Sequence, residues 1–270
     1  VQVIRVPALT GWRWVTQGLG LVRRHPLAML GLTVLFLFSV VLPTVLPVIG
    51  GFAPLLLTPG LSVGYMQAVR TAESGRMPSP WSLYDALRAQ GGRGAKPLLV
   101  LGLINCVLTM AVLSLTMVAD GGTLFRVATG AIQPDDPALA DSSLAFAALV
   151  FLLLYAPVQM AMWYAPVFVA WHRLHPVKAL FYSLVGVWRN KAVFVVYLAA
   201  WFSVAVAVSI ALQLIRPLLP AGMMTLLLSP LSLILLAGLY CSFWPSYRDV
   251  VHDGPLPAAG TAPTSPPSAG

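Results

Sequence analysis

The chain has 270 residues, 59% of them apolar and only 9% charged, with a mean hydropathy of +0.85. A soluble domain carries about 25% charged residues, so this composition excludes a cytosolic enzyme, a nucleic-acid-binding domain and a secreted disulfide scaffold. The net charge of +8 therefore has to be understood against a membrane.

In chain order, the first feature is a stretch in which Leu9, Trp12, Val15, Leu19 and Val22 recur every three or four residues, with Arg13, Gln17 and Arg24 on another face. A spanning helix needs about 20 mostly apolar residues, and Leu27–Ile49 supplies the first. It begins near Leu27, is too long for a signal-peptide core and lacks a small-residue cleavage site. A start at Val1 without Met is expected of a trimmed N-terminus. A Gly50-Gly51 turn leads into Gly51–Gln67, the weakest span, interrupted by Pro54 and Pro59. Next comes a basic segment in which Ser79-Pro80 offers an N-cap and a first-turn proline to a short helix carrying Trp81, Tyr84 and Leu87, with Asp85 and Arg88 opposite. Leu98–Ala119 is the third span. A loop with Asp120, Asp135, Asp136 and Asp141 precedes the fourth, Leu144–Trp171. His175-Pro176 then opens a third amphipathic stretch, its apolar stripe Val177, Leu180, Leu184 and Val187 set against Lys178, Ser183 and Arg189. Ala192–Ile215 and Leu218–Trp244 complete six spans, and the Pro-, Ala-, Ser- and Thr-rich tail Gly254–Gly270 is expected to be disordered.

The loops orient these spans. One side holds 14 of the 16 basic residues; the other holds only Arg126 and Arg216. The positive-inside rule makes the basic side cytoplasmic, with both termini inside. The expected fold is thus an all-α bundle of six transmembrane helices with three cytoplasmic interfacial helices, forming one domain over residues 1–253. Basic amphipathic helices bearing Trp belong at the interface, basic face toward anionic headgroups. Arg13, Arg23, Arg24, Arg88, Lys178, Arg189 and Lys191 are the candidate contacts with lipid headgroups or with a protein partner or second copy.

The three helix-plus-two-span units, about 8–70, 79–173 and 174–253, also resemble one another. Gly18-Leu19-Gly20-Leu21-Val22-Arg23-Arg24 matches Leu184-Val185-Gly186-Val187-Trp188-Arg189-Asn190, and Leu55-Leu56-Leu57-Thr58-Pro59 matches Leu226-Leu227-Leu228-Ser229-Pro230. Tyr155-Ala156-Pro157 is the looser middle copy. Such units share one orientation and form a parallel repeat, unlike the inverted repeats of many alternating-access transporters.

Pro7-Ala8-Leu9-Thr10-Gly11-Trp12-Arg13-Trp14, Leu57-Thr58-Pro59-Gly60-Leu61-Ser62-Val63-Gly64, Ala170-Trp171-His172 and Tyr247-Arg248-Asp249 resemble a proteobacterial inner-membrane family of unassigned function. The resemblance covers nearly the whole chain to about Asp253 and implies a polytopic inner-membrane protein with no established activity. More distantly, the helix-plus-two-spans pattern is similar to the membrane domain of some glycerophosphodiester phosphodiesterases. Their catalytic domain is absent here, so the resemblance implies no phosphodiesterase activity, only a position near lipid headgroups.

The spans hold no ionisable residue away from their ends, which weighs against a proton-coupled pump and a carboxylate-based intramembrane protease. Cys106 and Cys241 stand alone in apolar runs and read as small buried hydrophobes. His172 and His175 share a helical spacing, but a metal would need further ligands; neither metal nor cofactor is expected. An enzyme would have to bring His172, His175 and Asp249 together at the cytoplasmic surface. The prolines at Thr58-Pro59, Pro157, Pro166 and Ser229-Pro230 free backbone carbonyls that neighbouring groups must satisfy. They fall in the even-numbered spans, so Thr58, Pro59, Tyr65, Gln159, Tyr164, Ser229 and Pro230, with Tyr240 nearby, are candidates to line a shared cleft for an amphiphile. Asn105, Gln159 and Gln213 are expected to make interhelical hydrogen bonds of about 0.6–2 kcal/mol. The expected role is a non-enzymatic scaffold or lipid-associated accessory factor; the alternative is a facilitator or exporter of an amphiphilic molecule or lipid.

Overall fold

The computed structural model describes residues 2–46, 50–89, 92, 94–132, 142–218, 220 and 222–252. The acidic residues Asp135, Asp136 and Asp141 and the tail Gly254–Gly270 lie outside the described residues. The helices are α1 (Thr10–Arg24), α2 (Pro26–Val41), α3 (Ala53–Glu73), α4 (Asp85–Arg88), α5 (Ala95–Asp120), α6 (Thr123–Ala128), α7 (Ser142–Met162), α8 (Ala165–His172), α9 (Pro176–Arg189), α10 (Lys191–Ile215) and α11 (Met223–Val250). Six segments are long and apolar enough to cross a membrane: Pro26–Val45, Gly50–Glu73, Ala95–Asp120, Ser143–His172, Lys191–Ile215 and Leu226–Val250. The protein is an all-α polytopic membrane bundle. Two short strands, β1 (Gln2–Val3) and β2 (Val251–His252), pair antiparallel and hold the beginning and end of the described chain together at one end, called here the basic end.

Prolines open several of these helices. Pro26, Pro54, Pro166 and Pro176 sit in the first turns of α2, α3, α8 and α9, where the missing N–H has no helical partner to lose. Pro54, read from sequence as an interruption, thus starts its span. That span has the lowest mean hydropathy of the six, 1.2, and is the most enclosed. From Pro59 to Ala72 α3 buries Gly60, Leu61, Val63, Gly64, Tyr65, Met66, Ala68 and Val69, so it meets protein where the others meet lipid.

Close approach of backbones follows from glycine. A Cβ at Gly18 would sit 2.5 Å from the Gly238 carbonyl oxygen, so α1 lies directly on α11 only because residue 18 has none. Gly64 likewise admits the Leu83 carbonyl of the 3-10 turn Pro80–Tyr84. Lipid tails are as apolar as leucine, so small residues that permit backbone contact drive packing between helices in a membrane.

That rule also decides which residues of the basic-end helices turn inward. On α1 the buried residues are Gly11, Trp14, Val15, Gly18, Leu21 and Val22, while Leu9 and Trp12 are exposed. On α9 the buried set is Pro176, Ala179, Ser183, Gly186 and Val187; Val177, Phe181 and Trp188 face outward. The larger apolar side chains point away from the bundle because outside it they need not meet water. The short helix after Ser79 differs from its sequence reading. Ser79 Oγ does accept from the Trp81 N–H (3.3 Å), but Ser82 and Leu83 are the buried residues and Arg88 lies over the Trp81 and Tyr84 rings rather than opposite them.

The short elements at the basic end lie on neighbouring spans. The 3-10 turn and α4 lie on α3, α9 lies on α7 and α8, and α1 lies on α10 and α11. Asn190, between α9 and α10, ties in the N-terminal segment: its Oδ1 accepts from the Val6 N–H (3.0 Å) and its Nδ2 donates to the Ile4 carbonyl (2.9 Å).

Candidate functional site

Four elements converge at the basic end. Trp244, Tyr247 and Arg248, three and four residues apart, share one side of α11. The Trp244 indole donates to Glu73 of α3. The Arg248 guanidinium bridges Glu73 Oε1 (2.5 Å), Gln17 Oε1 of α1 (3.2 Å) and Asp249 Oδ1 (3.2 Å). The second Asp249 oxygen accepts from the Trp14 indole at 2.9 Å. His172 Nε2 and the Tyr247 hydroxyl lie 2.6 Å apart, and Arg70 sits over the rings of Trp171 (5.8 Å) and Trp244 (5.6 Å). Trp14, Trp171, His172, Tyr247 and Asp249, distant in sequence, thus form one aromatic and polar girdle. The Arg248–Glu73 pair is about 40% exposed, so its role is registration of α11 against α3 more than stability.

The structure does not join Asp249, His172 and His175 in one shared contact. Asp249 is held by Trp14 and Arg248, and His172 by Tyr247, while His175 lines a groove elsewhere. Among the described residues, no three His, Cys, Asp or Glu side chains gather closely enough to hold a metal ion. Cys106 and Cys241 are buried free thiols.

Around the girdle lies a basic surface. Arg13, Arg23, Arg24, Arg88, Lys178, Arg189 and Lys191 are all exposed. Lys191 Nζ stands 5.2 Å from the Trp188 ring, Arg88 stands 5.8 Å from that of Trp81, and Arg13 follows exposed Trp12. Each of the three elements at this end therefore presents an exposed tryptophan, two of them with a cation over the ring, together with exposed Leu9, Val177 and Phe181.

Two hollows run between α3, α5 and α8. A groove of about 590 Å³ at the basic end is lined by Gln67, Asp85, Arg173 and His175 among others. Deeper in the bundle, a cavity of about 290 Å³ is lined by Thr58, Pro59, Ser62, Asn105, Tyr155, Gln159, Pro166 and Tyr240. The structure brings together Thr58, Pro59, Gln159, Pro166 and Tyr240 of the residues singled out in the sequence. Four others lie elsewhere. Tyr65 is buried with its hydroxyl 2.8 Å from Thr33 Oγ1, and Tyr164 is buried with its hydroxyl donating to the Ser246 carbonyl (3.1 Å). Ser229 and Pro230 are exposed on the outer side of α11, because α10 and α11 leave the bundle beyond about Trp201 and Ile234.

Two backbone groups freed by the prolines find side-chain partners, one at Asn105, expected from sequence to bond between helices, and one at Ser183, whose role the sequence did not show. Pro59 cannot donate to Leu55 O, four residues earlier; Asn105 Nδ2 takes that place at 3.4 Å. Between α7 and α8 the helix breaks before Pro166. Ser183 Oγ of α9 enters the break, accepting from the Tyr164 N–H (2.9 Å) and donating to the Met160 carbonyl (2.8 Å). It thereby replaces the bond those two groups would make in an unbroken helix. A polar residue opposite a Pro-containing span was the available signal.

Compared with known proteins, the chain is 42% identical over 253 residues to a probable inner membrane protein of Burkholderia thailandensis, covering 92% of this chain and 93% of that one. No family model and no solved structure matches the chain, and the likeness to glycerophosphodiester phosphodiesterases gains no support.

Proposed function

Because this chain belongs to the family of that probable inner membrane protein of Burkholderia thailandensis, a multi-pass protein of the inner membrane with six apolar helices, we propose that it is a non-enzymatic accessory or scaffold protein that holds anionic lipid headgroups at its basic end. The observation that carries this is an exposed tryptophan on each of the three basic-end elements, Trp12, Trp81 and Trp188, with Arg88 over the Trp81 ring, Lys191 over the Trp188 ring and exposed Arg13 next in sequence to Trp12. Tryptophan belongs at the headgroup level, and each basic residue near an anionic surface contributes about 1 kcal/mol of attraction. The basic end is cytoplasmic in this proposal, by the positive-inside rule.

Packing supports an internal repeat of three units. Each short basic-end element lies on the span pair of the preceding unit, and α1 closes the circle on the third. A threefold arrangement about the membrane normal would present its headgroup contacts as a ring. The test is to replace Arg23, Arg24, Arg189 and Lys191 with Glu and count anionic phospholipids retained in mild detergent by native mass spectrometry. Retention should fall several-fold, by about 1 kcal/mol per site; unchanged retention overturns the proposal.

Facilitated passage of an amphiphile is the alternative, favoured by the convergence of Thr58, Pro59 and Gln159 on the inner cavity. Its readout is flux of a labelled amphiphile across proteoliposomes.

A further inference from the structure

The groove at the basic end opens where the spans meet the headgroup layer. Arg173 directly follows His172, the end of the fourth span, and Pro97 lies in the first turn of the third. Gln67 is six residues inside the end of the second span at Glu73, about 9 Å down at 1.5 Å per residue. Val63 and Val169 give the groove an apolar part; Asp85 of α4, and Arg173 and His175 between α8 and α9, give it a charged one.

These charges stand apart from the girdle. Glu73 and Asp249 are both bound to Arg248. The Asp85 side chain is exposed and has no hydrogen bond or ion pair among the described residues; the Arg88 guanidinium, one turn later, lies over the Trp81 and Tyr84 rings instead. Asp85 is thus the described carboxylate of the basic end that no cation holds. The side chains of Arg173 and His175 are exposed and equally unengaged among the described residues, so no ion pair crosses the groove.

Arg173 also breaks a local rule. It ends α8 with a φ of 52°, in the left-handed region, and the Leu174 N–H donates back to the Phe168 carbonyl at 3.2 Å. Glycine usually fills that position, because a Cβ is strained there. Arg173 is the non-glycine residue with a positive φ among those described. A long cationic side chain is therefore kept where its absence would ease the backbone, and strain of this kind gathers at ligand sites.

A carboxylate facing a guanidinium and an imidazole that it does not touch matches a ligand carrying both charges. An anion alone would leave Asp85 unmatched, and a cation alone would leave Arg173 so. A carboxylate takes N–H donors, which a primary ammonium has and a trimethylammonium lacks. The ring that could cradle a trimethylammonium, Trp171, already has Arg70 over it at 5.8 Å. We propose that this groove binds the phosphoethanolamine group of a zwitterionic phospholipid, with the phosphate on Arg173 and His175 and the ammonium on Asp85. The volume, about 590 Å³, equals about twenty waters at 30 Å³ each, which suits the head and its glycerol. The site goes beyond the anionic surface and shares none of the four residues replaced to test it.

The test uses the full chain in mild detergent, with phosphatidylethanolamine and phosphatidylcholine of identical chains titrated separately and adducts counted by native mass spectrometry. A saturable phosphatidylethanolamine adduct is expected, about tenfold tighter than that of phosphatidylcholine, and Asp85→Asn should weaken it about tenfold, the loss of a charged hydrogen bond. Arg173→Gly should weaken it about tenfold as well, at an unreduced melting temperature, since glycine accepts the left-handed backbone. The replacement of Arg23, Arg24, Arg189 and Lys191 should leave this adduct in place, which separates the two sites. Water-soluble glycerophosphoethanolamine should displace the lipid only in large excess; equal potency supports the site and assigns it a soluble zwitterion. Equal affinity for the two phospholipids, or an adduct that either variant retains at full affinity, overturns the site.

Discussion

The two halves of the bundle are held by different means. At the basic end α1, α3, α8, α10 and α11 interlock through Trp14, Tyr164, Phe168, Phe194, Tyr197 and Tyr247, with Tyr197 bonded to Ser242 at 2.7 Å. In the opposite half, α2 buries nothing beyond Phe36, and α10 buries nothing from Trp201 to Pro217. Leucine and valine are abundant in both halves, so hydrophobicity does not explain the difference. Inside lipid an apolar side chain gains little by turning inward. What packs the basic half is backbone approach at glycine and the pairing of polar groups that would otherwise be stranded.

Several substitutions should sharpen that contrast. The largest loss is expected for Ser183→Val, which strands the Tyr164 N–H and the Met160 carbonyl; at about 1–3 kcal/mol per buried group, it should lower the melting temperature in detergent most. Gly18→Leu drives a side chain into the Gly238 carbonyl and should cost about 1–3 kcal/mol by overpacking, read as a smaller drop in the same melt. Leu214→Ala, on a residue 71% exposed in the opposite half, should stay within about 0.5 kcal/mol of the parent. A large loss at Leu214 would mean that this half has a protein partner, and the contrast would break.

Much of the fold was legible. Hydropathy alone finds all six spans and places four of them close to their observed limits, because twenty apolar residues in a row have few other uses; the second runs on from Gln67 to Glu73, and the sixth lies at Leu226–Val250 rather than Leu218–Trp244. Faces were not legible by the same logic. The stripes of α1 and α9 read as apolar faces for the membrane interface; Trp12 and Val177 do turn outward, but Val15, Val22 and Val187 of the same stripes are buried beside Gly11, Gly18 and Ala179. Ser183 read as part of a polar, outward face yet is fully buried, since only the break at Tyr164 gives it work and that break involves another helix. For the inner cavity, Thr58, Pro59 and Gln159 could be found because proline beside a polar residue in a span announces unsatisfied backbone. Tyr65 and Tyr164 could not be ruled out, because their hydroxyl partners, Thr33 and the Ser246 carbonyl, are fixed by packing alone. Asn105 was read as an interhelical hydrogen bonder; its partner, the carbonyl freed by Pro59, emerged only with the packing of α5 on α3.

The proposed headgroup surface depends on which side of the membrane receives the basic end. The direct measurement replaces Cys106 and Cys241 with Ala, introduces Arg88→Cys or Arg126→Cys, and exposes intact spheroplasts to a membrane-impermeant maleimide. Residue 126 should label at once and residue 88 only after permeabilisation. Labelling of residue 88 in intact spheroplasts would contradict the orientation and the anionic headgroup surface built on it.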